Sequence, residues 1–135
     1  MGNASVDDAA LIERGLELVA MRLGDPATLV YARLFADHPE LEVLFVRDRV
    51  GMVRVQMLHV ALECLADFAG PHDYSANFLC SERVNHAGLG VPPAMFDLFY
   101  STMIDTFRAE LGPEWTVEMD AAWRRASNAL VAAAA

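Results

Sequence analysis

Apolar residues recur every three or four positions along most of this chain, and alternation of the strand type is nearly absent. The pattern predicts helices from end to end. The first runs from about Val6 to Arg22, with Leu11, Ile12, Leu16, Val19, Ala20 and Leu23 on one stripe and Gly24 as its stop. Asp25 caps a second helix, with Pro26 in its first turn, where the missing N–H is harmless. Leu29, Val30, Leu34 and Phe35 give this helix its apolar side as far as His38-Pro39, and Pro39 begins a short helical turn ending near Phe45. The polar stretch V-R-D-R-V-G leads into a long helix from about Val50 to Phe68. A loop, G-P-H-D-Y, precedes another helix that ends near His86. Val91-Pro92-Pro93 starts one reaching Leu111, and Gly112-Pro113 separates the last, from about Glu114 to Ala132. Six or seven helices with short links predict one all-α domain over residues 1–135, more irregular than a four-helix bundle.

The long helix indicates which of its faces looks inward. At about 100° per residue, Gly51, Val55, Leu58, Leu62, Leu65 and Ala69 fall within about 60° of Leu58. Gln56, Glu63 and Asp67 lie opposite, as a solvated face should. Arg54 is the misfit, only about 40° from Leu58. A full charge there needs an anionic or strongly polar partner.

Composition narrows the class. Hydrophobic residues make up 55% of the 135, yet the formal net charge is −9. That balance suits a soluble, well-packed acidic protein and argues against nucleic acid or anionic membrane as partner. No run approaches a membrane span and no basic leader precedes an apolar segment, so a cytoplasmic protein is expected. The opening Met1-Gly2 is a poor acylation match, because Val6 stands where Ser or Thr is wanted. Cys64 and Cys80 have neither metal-ligand spacing nor a disulfide-framework count, which favours reduced thiols.

The candidate chemistry gathers at S-E-R-V-N-H-A-G-L-G-V-P-P-A-M-F, residues 81–96. His86 has two readings. It can bond free carbonyls at a helix C-terminus and favour the helix dipole. It can also bind a metal through one ring nitrogen while the other donates to a carbonyl, naturally that of Glu82 four residues back. Gly88 and Gly90 suit a tight exit that lets backbone pass close to a flat ligand. One histidine cannot make a zinc site, and no second ligand stands at HExxH or CxxC spacing. A single-histidine site points to a macrocycle that supplies its own four nitrogens, meaning haem.

These residues also resemble a family. H-A-G-L-G-V-P-P-A-M-F resembles the segment after the iron-binding histidine of bacterial globins. H-P-E-L-E-V-L-F is similar to the segment leading to their haem-stacking phenylalanine, and L-G-P-E-W-T-V-E-M-D-A-A-W to their last helix. The three motifs stand in the family's order and cover most of the chain. The resemblance implies a globin fold around a haem pocket holding haem b. His86 takes the place of the metal ligand, Phe45 of the phenylalanine on the haem plane, and Tyr31 of the tyrosine aimed at bound oxygen. For the distal position on the long helix, counting back from His86 gives Arg54 and counting on from Phe45 gives Val55. The helical face favours Arg54, with Leu58 as the apolar distal residue. The same wheel turns Gln56 outward and leaves His59 at the flank. Val91 and Phe96 join Leu58 and Val55 as further cofactor-binding positions.

Departures shape the functional expectation. Flavohaemoglobins carry a tyrosine ten residues after the metal-binding histidine and a late glutamate, which make the imidazole more anionic. Here Phe96 stands at the first place and the second has no counterpart. No flavin or nicotinamide domain follows His86's domain in this sequence. The resemblance therefore implies a single-domain bacterial haemoglobin that reversibly binds a diatomic gas (oxygen, nitric oxide or carbon monoxide), as a monomer or homodimer. Nitric-oxide dioxygenase or peroxidase-like turnover with an external reductase is one alternative, and a gas- or redox-sensing regulatory role is another.

Overall fold

A computed structural model describes residues 6–135, so Met1 and Gly2, read above for acylation, lie outside the described residues. The described chain forms α1 (Val6–Leu23), α2 (Ala27–Asp37), α3 (Met52–Ala69), α4 (Ser75–Gly88), α5 (Pro93–Asp97), α6 (Phe99–Leu111) and α7 (Val117–Ala134). Two 3₁₀ segments, Pro39–Phe45 and Gly112–Glu114, join them, and no strand occurs among the described residues. The all-α expectation stands.

Local chemistry explains most of the boundaries. Gly24 leaves α1 with φ +65°, a left-handed conformation that L side chains resist. Asp25 Oδ1 then accepts from the Ala27 amide at 3.1 Å, satisfying one of the free donors that open α2. Two expected boundaries need correction. The stretch from Val91 to Leu111 is two helices, because Pro93–Asp97 is tied to α4 by the Arg83–Asp97 ion pair (2.9 Å) while α6 packs on α2. The last α-helix begins at Val117 rather than Glu114. Gly112–Glu114 is 3₁₀, and Thr116 Oγ1 caps α7 by accepting from Met119 N at 3.1 Å.

The core forms where α1 and α4 pack on α7 and where α2 packs on α6. Helix α7 buries Met119, Ala122, Trp123, Ala126 and Leu130 along one stripe. Helix α6 faces it with Met103, Phe107 and Leu111. Trp123 stands edge-on to Phe107 and to Trp115, with ring centroids 5.8 and 5.0 Å apart. Gly15 on α1 admits this ring: a Cβ there would fall 2.7 Å from Trp123 Cε2. Cys64 and Cys80 are both free thiols, and burial pushes the Cys64 thiol up to about 11.

The α3–α4 connection is held by one buried carboxylate. Asp67 accepts from the amides of Asp73, Tyr74 and Ser75 at 2.9, 3.1 and 2.9 Å, and so fixes where α4 begins. Burial acts against its charge, but the amides outweigh burial and hold its pKa at about 2, below the ordinary 3.8. A depressed carboxyl pKa contributes stability above the unfolded value and loses it as pH falls towards the folded one. Asp67→Asn is expected to lower the unfolding free energy at pH 7 by about 2 kcal/mol, the worth of a charge-assisted hydrogen-bond set. The gap from wild type should close between about pH 4 and pH 2 as the wild-type carboxyl protonates. Denaturant titrations across that window check it.

Candidate functional site

Six helical segments converge on one cavity of about 570 Å³, within the range of small-molecule sites. Helix α2 contributes Tyr31 and Leu34, and the first 3₁₀ segment contributes Leu41, Leu44 and Phe45. Helix α3 presents Val53, Gln56, Met57, Val60 and Ala61, and α4 presents Phe78, Leu79, Glu82 and His86. Val91, Met95, Phe96, Phe99 and Tyr100 close the remaining side. The lining is overwhelmingly apolar and aromatic, with Arg47, Asp48 and Gln56 among its few polar members.

His86 is partly buried in the last turn of α4, and its Nδ1 lies 2.7 Å from the carbonyl of Glu82. A carbonyl only accepts, so Nδ1 carries the proton, and in the neutral ring Nε2 keeps its lone pair. The spacing of four residues within one helix makes this bond, as the sequence suggests. Phe96 lies against the imidazole, ring centroids 4.9 Å apart. The Arg83–Asp97 pair joins α4 to α5 beside these two rings and holds them in register.

Tyr31 is 2% exposed, and Phe35, Phe45 and Phe99 surround its ring at centroid distances of 5.7, 5.4 and 5.6 Å. Its hydroxyl is buried with no hydrogen-bond partner in the protein. Burial pushes its pKa far above the ordinary phenol value, with the Arg54 charge working the other way, so the O–H remains a donor. The pocket's other tyrosine does not share this state: Tyr100 Oη donates to the Ala61 carbonyl at 2.7 Å. Leaving a buried hydroxyl unpaired costs about 1–3 kcal/mol. Such a group in a pocket wall is a donor awaiting an acceptor.

The expected distal face of α3 needs correction. Val55 and Leu58 do not line this cavity. They line a second one, with Leu16, Val19 and the exposed His59. Helix α3 is apolar on two faces: the face centred on Leu58 packs towards α1, and Val53, Met57, Val60 and Ala61, turned about 100° further round, face the larger cavity. Gln56, expected to point to solvent, lies at the edge of that second face and lines the larger cavity while remaining exposed.

Arg54 does not line the cavity either. Its Nε donates to Asp48 Oδ2 at 3.1 Å and its Nη2 to the Asp48 carbonyl at 2.8 Å. Asp48 also accepts from the amides of Val53 and Arg54 at 3.1 and 3.0 Å, closing the turn that Gly51 makes with φ +79° at the start of α3. Burial opposes the Asp48 charge, but those two amides and the guanidinium outweigh it and keep the carboxyl below its usual range. The anionic partner that Arg54 requires is therefore Asp48, six residues earlier.

Of the expected site residues, Tyr31, Phe45, His86, Val91 and Phe96 meet in one cavity, whereas Arg54, Val55 and Leu58 do not. Nothing in the periodicity marks Val53, Met57 or Phe99 as pocket residues, since each is an apolar residue among many. Among the described residues, no group of three or more His, Cys, Asp or Glu side chains is placed to hold a metal ion. The globin family model matches residues 28–134, a span running from α2 to the end of α7.

The chain belongs to the globin family.

No curated protein and no solved structure matches it. Globins as a family bind haem and diatomic gases, and the pocket of this globin fits such a group on its own evidence. It offers one imidazole with a free Nε2, flat aromatic walls and an unpaired buried donor. No helix among the described residues is long and apolar enough to cross a membrane.

Proposed function

We propose that this globin holds haem b through His86 and reversibly binds a diatomic gas, oxygen foremost, beside Tyr31. The unpaired Tyr31 hydroxyl carries the reading, because a buried donor costs stability unless a ligand accepts from it. When bound, the haem supplies an iron that takes a diatomic gas at one open position. His86 Nε2 is the nitrogen free to hold that iron, and the Glu82 carbonyl fixes the ring's tautomer and angle. Phe45, Met57, Val60 and Val91 exclude water, which slows oxidation and strengthens the Tyr31 hydrogen bond in a medium of low polarity. Gln56 is the polar side chain that α3 presents to the cavity, and it takes the place proposed from sequence for Arg54.

Phe96 favours gas binding over oxidative turnover. A phenyl ring cannot accept from the imidazole, and the Nδ1 proton rests on a neutral carbonyl, so His86 acts as an ordinary neutral ligand with weak electron push. Dioxygenase chemistry with an external reductase is the second reading, supported by the Tyr31 donor. Absorption spectra of the reduced protein with and without carbon monoxide test the main proposal. An intense Soret band that shifts with carbon monoxide is expected; a protein that takes up no haem under reconstitution overturns it. Sustained nitric-oxide consumption with a reductase would move the assignment to the enzyme.

A further inference from the structure

Beside the cavity, residues 43–52 carry exposed apolar side chains that the pocket does not use. Val43, Val46, Val50 and Met52 are 67, 68, 84 and 70% exposed, and none of the four lines the cavity. A bound cofactor would therefore leave them in water. Arg47 and Arg49 stand exposed among them. Acidic residues outnumber basic ones 19 to 10 in the chain, and most arginines are paired: Arg14, Arg22, Arg54, Arg83, Arg124 and Arg125 all meet carboxylates. Arg47 and Arg49 have no such partner among the described residues. Asp48 between them is neutralised by Arg54. The result is an apolar patch with two free guanidinium groups on a protein of net charge −9.

We propose that this patch docks an acidic electron-donor protein, one whose redox centre is ringed by carboxylates. The proposal rests on the haem reading for its purpose and on charge and exposure for its location. Arginine is enriched in binding hot spots, and its planar fork pairs carboxylates in bidentate fashion. A second copy of the chain fits poorly, because a two-fold contact would set these arginines against each other. An anionic bilayer would be drawn by the same two charges, and the vesicle arm of the test separates it from the acidic protein. Arg47 lines the cavity mouth and Arg49 does not, so the patch reaches from the pocket edge outwards. A donor seated here would lie beside the cavity in which His86 would hold the haem, and its one-electron oxidation would supply the electron that returns a ferric iron to the ferrous state, with no bond made or broken.

The test uses a small acidic flavin protein of the flavodoxin type as probe, titrated onto the whole protein with and without haem. Binding is expected in both states and should weaken steeply as salt rises. Arg49→Glu should weaken it at least tenfold and Val50→Ser severalfold. Arg108→Glu, an exposed change on α6 outside the patch, should leave it unaltered. With haem bound, reduction by the probe should slow in Arg49→Glu while reduction by dithionite keeps its wild-type rate. Wild-type binding by Arg49→Glu, equal loss in Arg108→Glu, or binding to anionic lipid vesicles but not to the acidic protein would each overturn the proposal. Failure to take up haem leaves the binding arm intact and counts against the haem reading alone.

Discussion

His86→Ala is expected to abolish the Soret band of the wild-type protein or to alter it strongly. The loss of haem affinity should exceed the roughly 10- to 100-fold that removal of an outer partner costs a metal site, because here the ligand itself is removed. The helix should survive: His86 sits in the last turn of α4, is only partly buried, and bonds only a carbonyl of its own helix. Far-ultraviolet dichroism is therefore expected to stay at the wild-type level. Added imidazole should restore the band by filling the space left beside Phe96. His59→Ala is the matched control, because His59 lines the other cavity and its loss should leave the spectrum unchanged. A His86→Ala protein with the wild-type spectrum would remove His86 as the ligand.

Tyr31→Phe is expected to act in opposite directions on stability and on function. The hydroxyl is buried without a partner, so its removal should stabilise the cofactor-free protein by about 1–3 kcal/mol, read as a higher denaturant midpoint. The ring contacts with Phe35, Phe45 and Phe99 remain in the variant. Oxygen dissociation from the haem-loaded protein should become faster by roughly 10- to 150-fold, the worth of one hydrogen bond to an acceptor carrying charge, about 1.5–3 kcal/mol. Flash photolysis or stopped-flow displacement by carbon monoxide measures it. An unchanged dissociation rate would show that Tyr31 does not donate to the ligand. An unchanged midpoint would show that the hydroxyl is hydrated in the cofactor-free state.

Both predictions concern residues visible in the amino-acid sequence, for different reasons. The His86–Glu82 bond spans four residues of one helix, so helical geometry alone suggests it. Resemblance alone singles out Tyr31; its unpaired hydroxyl depends on α2, α6 and the first 3₁₀ segment enclosing it. Arg54 shows the opposite situation. Its position among apolar residues correctly demanded an anion, but the turn through Gly51 brings Asp48 to it, and a helical wheel cannot represent that turn. Helix α3 misled for a related cause. It is apolar on two sides, and a wheel centred on Leu58 finds the side that packs on α1.

The sequence by itself determined the all-α class, most of the helix ends and the His86–Glu82 bond at the end of α4. These depend on contacts a few residues apart, and periodicity, Gly, Pro and capping side chains encode such contacts directly. Tertiary packing decided which side of α3 faces the cavity, where α5 breaks from α6, and that Gln56 rather than Arg54 reaches the pocket. Each of those outcomes depends on neighbours far away in the chain, and an apolar residue carries no label saying which of two neighbouring cavities it will line.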